Sequence, residues 1–201
     1  MIIGPKYKIC KRLGSSVFEK CQTKSFSLAA QRAEATKKGK RPGSDFNRQL
    51  LEKQKLRLIY SLTEKQFSSY VFEALESGVS PSQYLFQKLE LRLDSLIYRT
   101  GISGTRRAAR QLATHGHFTI NGKRVTIPSY QLSVGSVVGL RDGSKGSALF
   151  QGIEERLKEH KTPPWITFDP DTRVATVVAV PAWGAQDSIV DFGAVFEYYT
   201  R

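Results

Sequence analysis

The stretch that decides the fold is RLDSLIYRTGISGTRRAARQLATHGHFTINGKRVTIPSYQLSVGSVV, which occupies residues 92–138. Within it, TRRAARQLATHG begins with the capping residue Thr105 and predicts a short helix. The next segment, HFTINGKRVTI, turns at Asn121-Gly122, which is the strongest short signal for a β-hairpin. Together the two segments predict a compact unit in which a helix is followed by antiparallel strands.

The helix that begins at Thr105 has two unlike faces. At about 100° per residue, Ala108, Ala109 and Leu112 share one arc, while the opposite arc is cationic and polar. Arginine binds phosphate through a planar, bidentate guanidinium that keeps its charge. The polar arc therefore predicts a surface for a nucleic-acid backbone, and it consists of Arg106, Arg107, Arg110, Gln111 and Thr114. Because these residues lie opposite the alanines, we expect alanine at Arg106 and Arg110 to leave the fold intact.

Basic and hydrogen-bonding residues continue from this helix into the hairpin. The hairpin turn should bring Lys123 and Arg124 back toward the helix, beside His115, His117 and Asn121. A solvated helix face is the plain alternative for the arginines taken alone. The convergence of both segments favours a binding patch.

The charge of the chain points to a polyanionic partner. The sequence has 31 Lys and Arg against 18 Asp and Glu, and residues 1–60 alone carry 15 basic and 4 acidic side chains. The segment KKGKRPG at 37–43 is polar throughout, so nucleic acid is favoured over an anionic membrane surface. No run reaches the roughly 20 apolar residues of a membrane span, and two cysteines are too few for a disulfide framework. We therefore expect a reducing, cytosol-like compartment.

Helical patterns dominate the region before the deciding stretch. Residues 1–41 have weak hydrophobic periodicity and predict a basic extension that is disordered without RNA. Helices should then begin at Ser44, at the capping box that starts with Thr63, and at Pro81. The third of these helices should bury one face, which consists of Leu85, Leu89, Leu93, Leu96 and Ile97.

The region after residue 138 mixes strands and helices. LFQGIEERLKEH at 149–160 predicts a helix, and WITFD and RVATVVAV predict paired strands around Pro170-Asp171. The tail at 187–199 begins as a helix with Ile189, Phe192 and Phe196 on one face. Its aromatic residues need an apolar surface, which the first helices offer.

At this point the sequence becomes recognisable. Residues 92–138 closely resemble the RNA-binding module named after the fourth small-subunit ribosomal protein. That module also occurs in pseudouridine synthases, rRNA methyltransferases and tyrosyl-tRNA synthetases. The upstream LLEKQKLRLIYSLTEKQF at 50–67, the opening Gly4-Pro5-Lys6 and the closing FEYYTR resemble the ribosomal protein family itself, in its bacterial type.

The resemblance implies an α+β fold with a discontinuous helical domain. Residues 42–88 and 183–201 would form that domain, which is interrupted by the α/β RNA-binding module at 89–182. Residues 1–41 would be the basic N-terminal extension.

The resemblance also implies a function and partners. The protein would be a structural constituent of the small ribosomal subunit that binds rRNA early, at a helical junction of the 5′ domain, and nucleates assembly. It would lie beside small-subunit ribosomal proteins three and five, near the channel through which mRNA enters, and contribute to translational accuracy. It would be cytoplasmic and ribosome-bound, and the sequence leaves a bacterial or an organellar ribosome open.

Site residues carry over by motif. The RNA-facing set implied by the resemblance, with the basic Arg41 and Arg124 added, consists of Arg41, Lys53, Lys55, Arg57, Arg106, Arg107, Arg110, Gln111, His115, His117, Asn121, Lys123, Arg124, Ser129 and Tyr130.

The sequence departs from the family pattern at the N-terminus. Many relatives carry a Cys-rich zinc knuckle, but a structural zinc site needs four ligands, and this region offers only Cys10 and Cys21. We therefore predict no metal and no cofactor. The usual Pro-Gly-Gln-His-Gly loop is replaced by RPGSD at 41–45, and Ser136 stands where an acidic residue is common.

The enzyme alternatives lack a catalytic centre. Arg92-Leu93-Asp94 matches the motif of a pseudouridine synthase, but Leu93 belongs to a core stripe, so a bond from Asp94 to Arg99 or to backbone is favoured. No Gly-rich strand-to-helix turn of a methyltransferase is present. We therefore predict no catalytic residues. A free heat-shock-type RNA chaperone remains as the second alternative.

Overall fold

The computed structural model describes residues 3–14, 16–35, 44–184 and 190–201. The chain divides into two compact units, one formed by Met1–Ser82 with Gly184–Arg201 and the other by Gln83–Trp183. The sequence predicted the corresponding boundaries at 88/89 and 182/183. The mixture of helices and antiparallel sheet confirms the expected α+β class.

The first unit is helical. Its helices are α1 (Lys6–Leu13), α2 (Lys24–Ala35), α3 (Asp45–Ile59), α4 (Glu64–Glu76) and α10 (Phe192–Tyr199), with a 3₁₀ turn at Glu19–Cys21. Ser44 and Thr63 cap α3 and α4 by accepting hydrogen bonds from the amides of Asn47 and Gln66, as predicted. The buried face of α4 consists of Phe67, Tyr70, Val71 and Ala74.

The C-terminal helix α10 packs against α3 and α4 through aromatic rings. Tyr198 lies 5.7 Å from Phe46 between ring centroids, and Tyr199 lies 6.0 Å from Phe67 and 5.9 Å from Phe72. Offset and edge-on pairs of this kind add to the burial of apolar area. The sequence placed Ile189 on the same face, but that residue lies outside the described ranges.

Residues near the N-terminus are packed, contrary to the unpacked extension that the sequence predicted. Cys10, Leu13, Val17, Phe18 and Cys21 form a small buried cluster that also contains Leu58 of α3. The sequence missed this cluster because its apolar residues are few and are split between a short helix and a 3₁₀ turn. Burial, together with the neighbouring thiol of Cys10, raises the pKa of Cys21 to about 12.

The second unit combines helices with a five-stranded antiparallel sheet, and α6, α7 and α9 share its core. Its helices are α5 (Pro81–Glu90, which starts two residues before the unit), α6 (Leu93–Arg99), α7 (Arg106–Thr114), α8 (Asp142–Lys145) and α9 (Glu154–Glu159). The strands are β1 (Phe118–Ile120), β2 (Lys123–Val125), β3 (Val137–Leu140), β4 (Ile166–Asp169) and β5 (Val174–Val177), in the order β2-β1-β3-β5-β4. The predicted hairpin and the predicted pairing of WITFD with RVATVVAV are both confirmed.

One long helix was predicted across residues 81–97, and the structure has two. The chain becomes extended at Arg92, where φ is −75° and ψ is 145°. The break occurs because the backbone there bonds to a distant loop. Leu132 donates to the carbonyl of Leu91 at 2.8 Å, and the amide of Leu93 donates to the carbonyl of Tyr130 at 3.0 Å.

The helix predicted at 149–160 is also shorter. A 3₁₀ turn at Ala148–Phe150 comes first, and Gly152 then adopts a left-handed conformation with φ of 70° that ends it. Regular helix begins at Glu154, and Leu149 is exposed while Phe150 is buried.

The described ranges lack two kinds of feature. None of the helices there is both long and apolar enough to cross a membrane. Within the same residues, no group of three or more His, Cys, Asp or Glu side chains is placed to hold a metal ion.

Candidate nucleic-acid interface

Helix α7 forms where predicted, but one of its three arginines turns inward. Thr105 caps the helix by accepting a hydrogen bond from the amide of Ala108. The Arg106 guanidinium lies 3.1 Å from the fully buried carboxylate of Glu90 and donates to Ser95. It also stacks over the ring of Tyr98, 4.6 Å from the centroid, and its side chain is 11% exposed. The positive charge of Arg106 is therefore largely compensated by a buried carboxylate of the same unit.

Arg110 is partly bound to a carboxylate of the protein and partly exposed to solvent. Its Nη1 donates to Asp94 at 3.1 Å, while 37% of the side chain stays exposed. Asp94 also accepts two bonds from Arg92, at 3.0 and 2.7 Å, and Arg92 is fully buried. The sequence predicted a structural role for Asp94 but proposed Arg99 as partner, whereas Arg99 binds Glu90 through two bonds of 2.8 and 2.9 Å.

The outer surface of α7 presents Arg107, Gln111 and Thr114. All three are exposed, and within the described chain Arg107 makes no hydrogen bond or ion pair. Its guanidinium thus keeps its donors for a ligand. Bidentate phosphate binding is the chemistry that such a free, planar cation performs best.

The hairpin brings a second cation to the end of α7, as the turn geometry predicted. Asn121 and Gly122 have φ values of 49° and 78°, which matches a tight two-residue turn. Arg124 donates to the carbonyl of His115 at 3.3 Å, and its guanidinium lies against Gly116. A Cβ at Gly116 would overlap Arg124, so glycine permits this close approach.

The other predicted hairpin residues differ in how available they are. Lys123 is exposed. The Asn121 side-chain oxygen accepts a hydrogen bond from the amide of Val137 at 2.9 Å, so it braces the turn against β3. Ser129 is half-buried and Tyr130 is 42% exposed, and both belong to the loop whose carbonyls bind the start of α6.

The two predicted histidines stand next to each other, with ring centroids 6.0 Å apart. His115 is exposed, and Nδ1 of His117 lies 3.0 Å from Oγ of Ser144. Burial lowers the pKa of His117, and the charges of His115, Arg141 and Arg124 lower it further. His117 therefore acts at neutral pH as a neutral hydrogen-bonding group.

We expect His117 to titrate below pH 6.5 in the free protein. In NMR spectra recorded over a pH series, its imidazole midpoint should lie under the ordinary value of 6.5. The unfolded chain then binds more protons between the two pKa values. The stability that neutral His117 contributes is therefore fully present above the unfolded pKa and is lost as pH falls through it toward the folded pKa. A midpoint at or above 6.5 would contradict the packing seen here, and an Arg141→Gln variant should move the midpoint upward.

The three cations predicted on α3 are bound to acidic or amide side chains. The Lys53 ammonium is 2.7 Å from Glu64 and 4.5 Å from the ring centroid of Tyr198, and its side chain is 6% exposed. Lys55 pairs with Glu52 at 2.6 Å, and Arg57 binds Gln54 and lies 3.4 Å from Glu64. Lys53 is thus buried and paired and offers no free charge in this structure, and its contact with RNA stays a prediction. Arg41 lies outside the described residues.

Glu64 is the centre of that arrangement in the first unit. Burial alone would raise the pKa of Glu64, but the hydrogen bonds from Lys53 and Tyr199 hold it below its ordinary value. Burial and the bond to Glu64 in turn raise the pKa of Tyr199. This cluster ties α3, α4 and α10 together, so it stabilises the unit and does not offer free charge.

Comparison with known proteins identifies two family models that together span residues 1–138. A family model described as the S4 domain matches residues 91–138, and one described as the ribosomal protein S4/S9 N-terminal domain matches residues 1–90. The small ribosomal subunit protein uS4 of Ruminiclostridium cellulolyticum is 38% identical over 96% of both chains. The proteins of the same name from Acetivibrio thermocellus and Roseiflexus castenholzii are 36% and 37% identical, over 98% and 99% of this chain and 98% of their own lengths.

The chain belongs to the uS4 family.

The S4 domain of this uS4 protein contains every element of the candidate interface in the second unit. Residues 91–138 run from the break before α6, through α7 and the hairpin, to the first half of β3. The exposed cations within it are Arg107, Arg110, Lys123 and Arg124. The boundary of the domain at residue 91 coincides with the bend at which Leu91 bonds to Leu132.

Sequence reasoning on this uS4 chain missed two kinds of residue. It did not anticipate Glu90 and Arg92 as buried charges, because an amphipathic pattern does not show which polar residue faces inward. It also missed Arg141, which follows β3 and lies just after the matched S4 domain. Strand alternation could have found Arg141, since it continues the outward-facing positions Val137 and Gly139.

Proposed function

We propose that this protein is a non-catalytic, RNA-binding constituent of the small ribosomal subunit. The observation that carries the proposal is the surface formed by α7 and the hairpin, where Arg107 is unpaired and Arg110, Lys123 and Arg124 are exposed. Several guanidinium and ammonium groups on one surface neutralise several phosphates at once. Its relatives are named small ribosomal subunit proteins, which supports rRNA as the RNA that is bound.

Finer parts of the proposal rest on family membership. The protein binds a helical junction in the 5′ domain of small-subunit rRNA early, nucleates assembly, and contributes to translational accuracy. Its neighbours are small-subunit ribosomal proteins three and five. It lies near the channel through which mRNA enters the subunit and contacts mRNA there. It works on the ribosome in the cytoplasm, and the bacterial sources of its relatives support a bacterial ribosome.

The structure argues against an enzyme of the pseudouridine synthase type. Such an enzyme needs a free aspartate as nucleophile, and Asp94 is 5% exposed with its carboxylate bound by Arg92 and Arg110. Because the carboxylate is buried and held by two guanidinium groups, a uridine base has no open approach to it. Asp94 therefore serves the fold.

Cofractionation with ribosomal subunits tests the function. We expect the protein to sediment with small subunits in a sucrose gradient and to stay there after a high-salt wash that removes loosely bound factors. A ribosomal constituent makes many contacts that are shielded from solvent, whereas a free RNA chaperone is held mainly by salt-sensitive charge. Recovery at the top of the gradient after the wash would favour the chaperone.

A further inference from the structure

The sheet of the second unit has one covered face and one open face. Residues that alternate inward, such as Phe118, Val138 and Leu140, are buried in the core. Those that point the other way are half-buried or exposed, and the register places Thr119 between Arg124 of β2 and Gly139 of β3. The open face carries Thr119, Arg124, Val137, Gly139, Val174 and Thr176, and at its β4 edge Thr167 and Asp169. The Asp169 carboxylate there accepts from the Thr172 hydroxyl and the Asp171 amide.

Arg141 extends this open face directly beyond β3. Its amide donates to the carbonyl of His117 at 2.9 Å, so the two residues are cross-strand neighbours next to the pair Phe118 and Leu140. Because Leu140 points into the core, Arg141 lies on the opposite, open side. The His117 ring itself packs against Phe150, with centroids 5.6 Å apart, and lies beside Ser144.

Arg141 differs from most arginines of this unit in having no partner. Its Nε is buried, and no acceptor among the described residues binds it. By contrast, Arg99 and Arg106 bind Glu90, Arg92 and Arg110 bind Asp94, and Arg156 binds the carbonyls of Gly101 and Ile102. Arg124 and Arg173 bind His115 and Glu154. Arg107 and Arg141 are therefore the arginines of this unit whose donors the described protein leaves unused.

Arg141 and Arg124 border one concave region of the open face. They line a cavity of about 420 Å³ together with Thr119, Gly139 and Val174. Gly139 lies at the floor of the cavity. An added Cβ there would make ordinary contacts, 3.6 Å from Val174 and 3.7 Å from Thr119, and would fill part of the cavity. Asp142 also lines the cavity, but its carboxylate is paired with Lys145 at 2.7 Å.

We infer that this open face, centred on Arg141 and bordered by Arg124, is a second phosphodiester-binding site for RNA, contiguous with the α7 surface. The inference rests on the proposed RNA-binding function and extends it to a face that lies outside α7. Arg124 connects the two surfaces, because it contacts the end of α7 at His115 and lines the cavity of the open face.

Two physical costs of the free protein favour this occupant. A buried guanidinium N–H without an acceptor costs the free energy of its lost hydration. The positive charges of Arg124 and Arg141 also both act on His117 and lower its pKa. A phosphodiester removes both costs, since its oxygens accept from guanidinium groups and its charge offsets the local repulsion.

Salt-dependent binding of a 5′-domain rRNA fragment to the full-length protein tests the site. Arg141→Gln should weaken binding and flatten the plot of log K against log salt by about 0.7–0.9, the value for one phosphate contact. The matched control is Arg173→Gln, which removes the same charge from an arginine already paired with Glu154. The control should leave the slope unchanged. An Arg141→Gln variant that binds with wild-type affinity and slope overturns the inference.

Two further measurements separate the possible failures. Circular dichroism of Arg141→Gln should match the wild type, and its urea midpoint should be equal or higher, because no protein partner is lost and an unsatisfied buried N–H is removed. If the variant is unstable, the Nε–H resonance of Arg141 in the wild-type protein still decides the matter, since it must shift when the fragment is added. No shift overturns the site. Failure of the wild-type protein to bind the fragment at all overturns the proposed function instead.

Discussion

Replacing Arg92 with Met should destabilise the second unit by about 3–5 kcal/mol, the usual effect of removing one partner from a buried ion pair. Arg92 is fully buried, and its two bonds to Asp94 are 3.0 and 2.7 Å long. Methionine keeps part of the volume but leaves Asp94 with Arg110 as its remaining cation. The negative charge of the buried Asp94 carboxylate would then be offset by one guanidinium group and no longer by two.

Urea unfolding followed by tryptophan fluorescence measures this effect selectively. The two tryptophans of the chain, Trp165 and Trp183, both lie in the second unit, and Trp165 belongs to its core. The matched control is Arg107→Met, which removes an exposed arginine and should change the free energy of unfolding by less than about 0.5 kcal/mol. If Arg92→Met unfolds within about 1 kcal/mol of the wild type, the buried ion pairs do not hold α6 in place.

Replacing Arg107 and Lys123 together with alanine should reduce RNA affinity strongly and leave the fold intact. Both side chains are exposed, and each is expected to neutralise one phosphate. The slope of log K against log salt should therefore flatten by roughly 1.4–1.8, since one contact contributes about 0.7 for single strands and 0.9 for duplexes. Filter binding of the 5′-domain rRNA fragment across a salt series measures this slope.

The control for this double variant removes two cations that already have carboxylate partners. Lys145 pairs with Asp142 and Arg173 with Glu154, so their replacement by alanine should change the slope little. A folded Arg107→Ala/Lys123→Ala protein with an unchanged slope would show that RNA contacts another surface. Arg106→Ala is expected to behave differently from both, because it takes a partner from the buried Glu90 and so lowers stability.

The last comparison revises what the sequence predicted for Arg106 and Arg110. Helical periodicity placed both arginines opposite the alanines and so predicted that alanine would be harmless at both positions. The structure buries Ala109 as expected, but it buries Ala113 as well and leaves Ala108 and Leu112 half-buried. Arg106 reaches sideways to Glu90 and Arg110 to Asp94. The direction of a long side chain depends on the groups that it binds. Here those groups are Glu90 of α5 and Asp94 of α6, so the periodicity of α7 cannot predict them.

Local signals, in contrast, predicted the elements well. Ser44, Thr63 and Thr105 cap their helices, and Asn121-Gly122 forms the hairpin turn, because these features depend on residues within about four positions of each other. The break at Arg92 depends on a loop some forty residues away, at Tyr130 to Leu132. Sequence patterns of short range do not contain that information.

The buried pair of cysteines gives the N-terminal cluster a built-in reporter. Cys10 and Cys21 are the two cysteines of the chain, and both are buried in the same small cluster. A thiol with a pKa near 12 is almost wholly protonated at neutral pH and reacts slowly with alkylating reagents while it stays covered. Labelling must therefore wait until the cluster opens. The rate of cysteine alkylation thus measures how often the cluster opens. Mass spectrometry can follow this rate on intact ribosomal particles of the unmodified sequence.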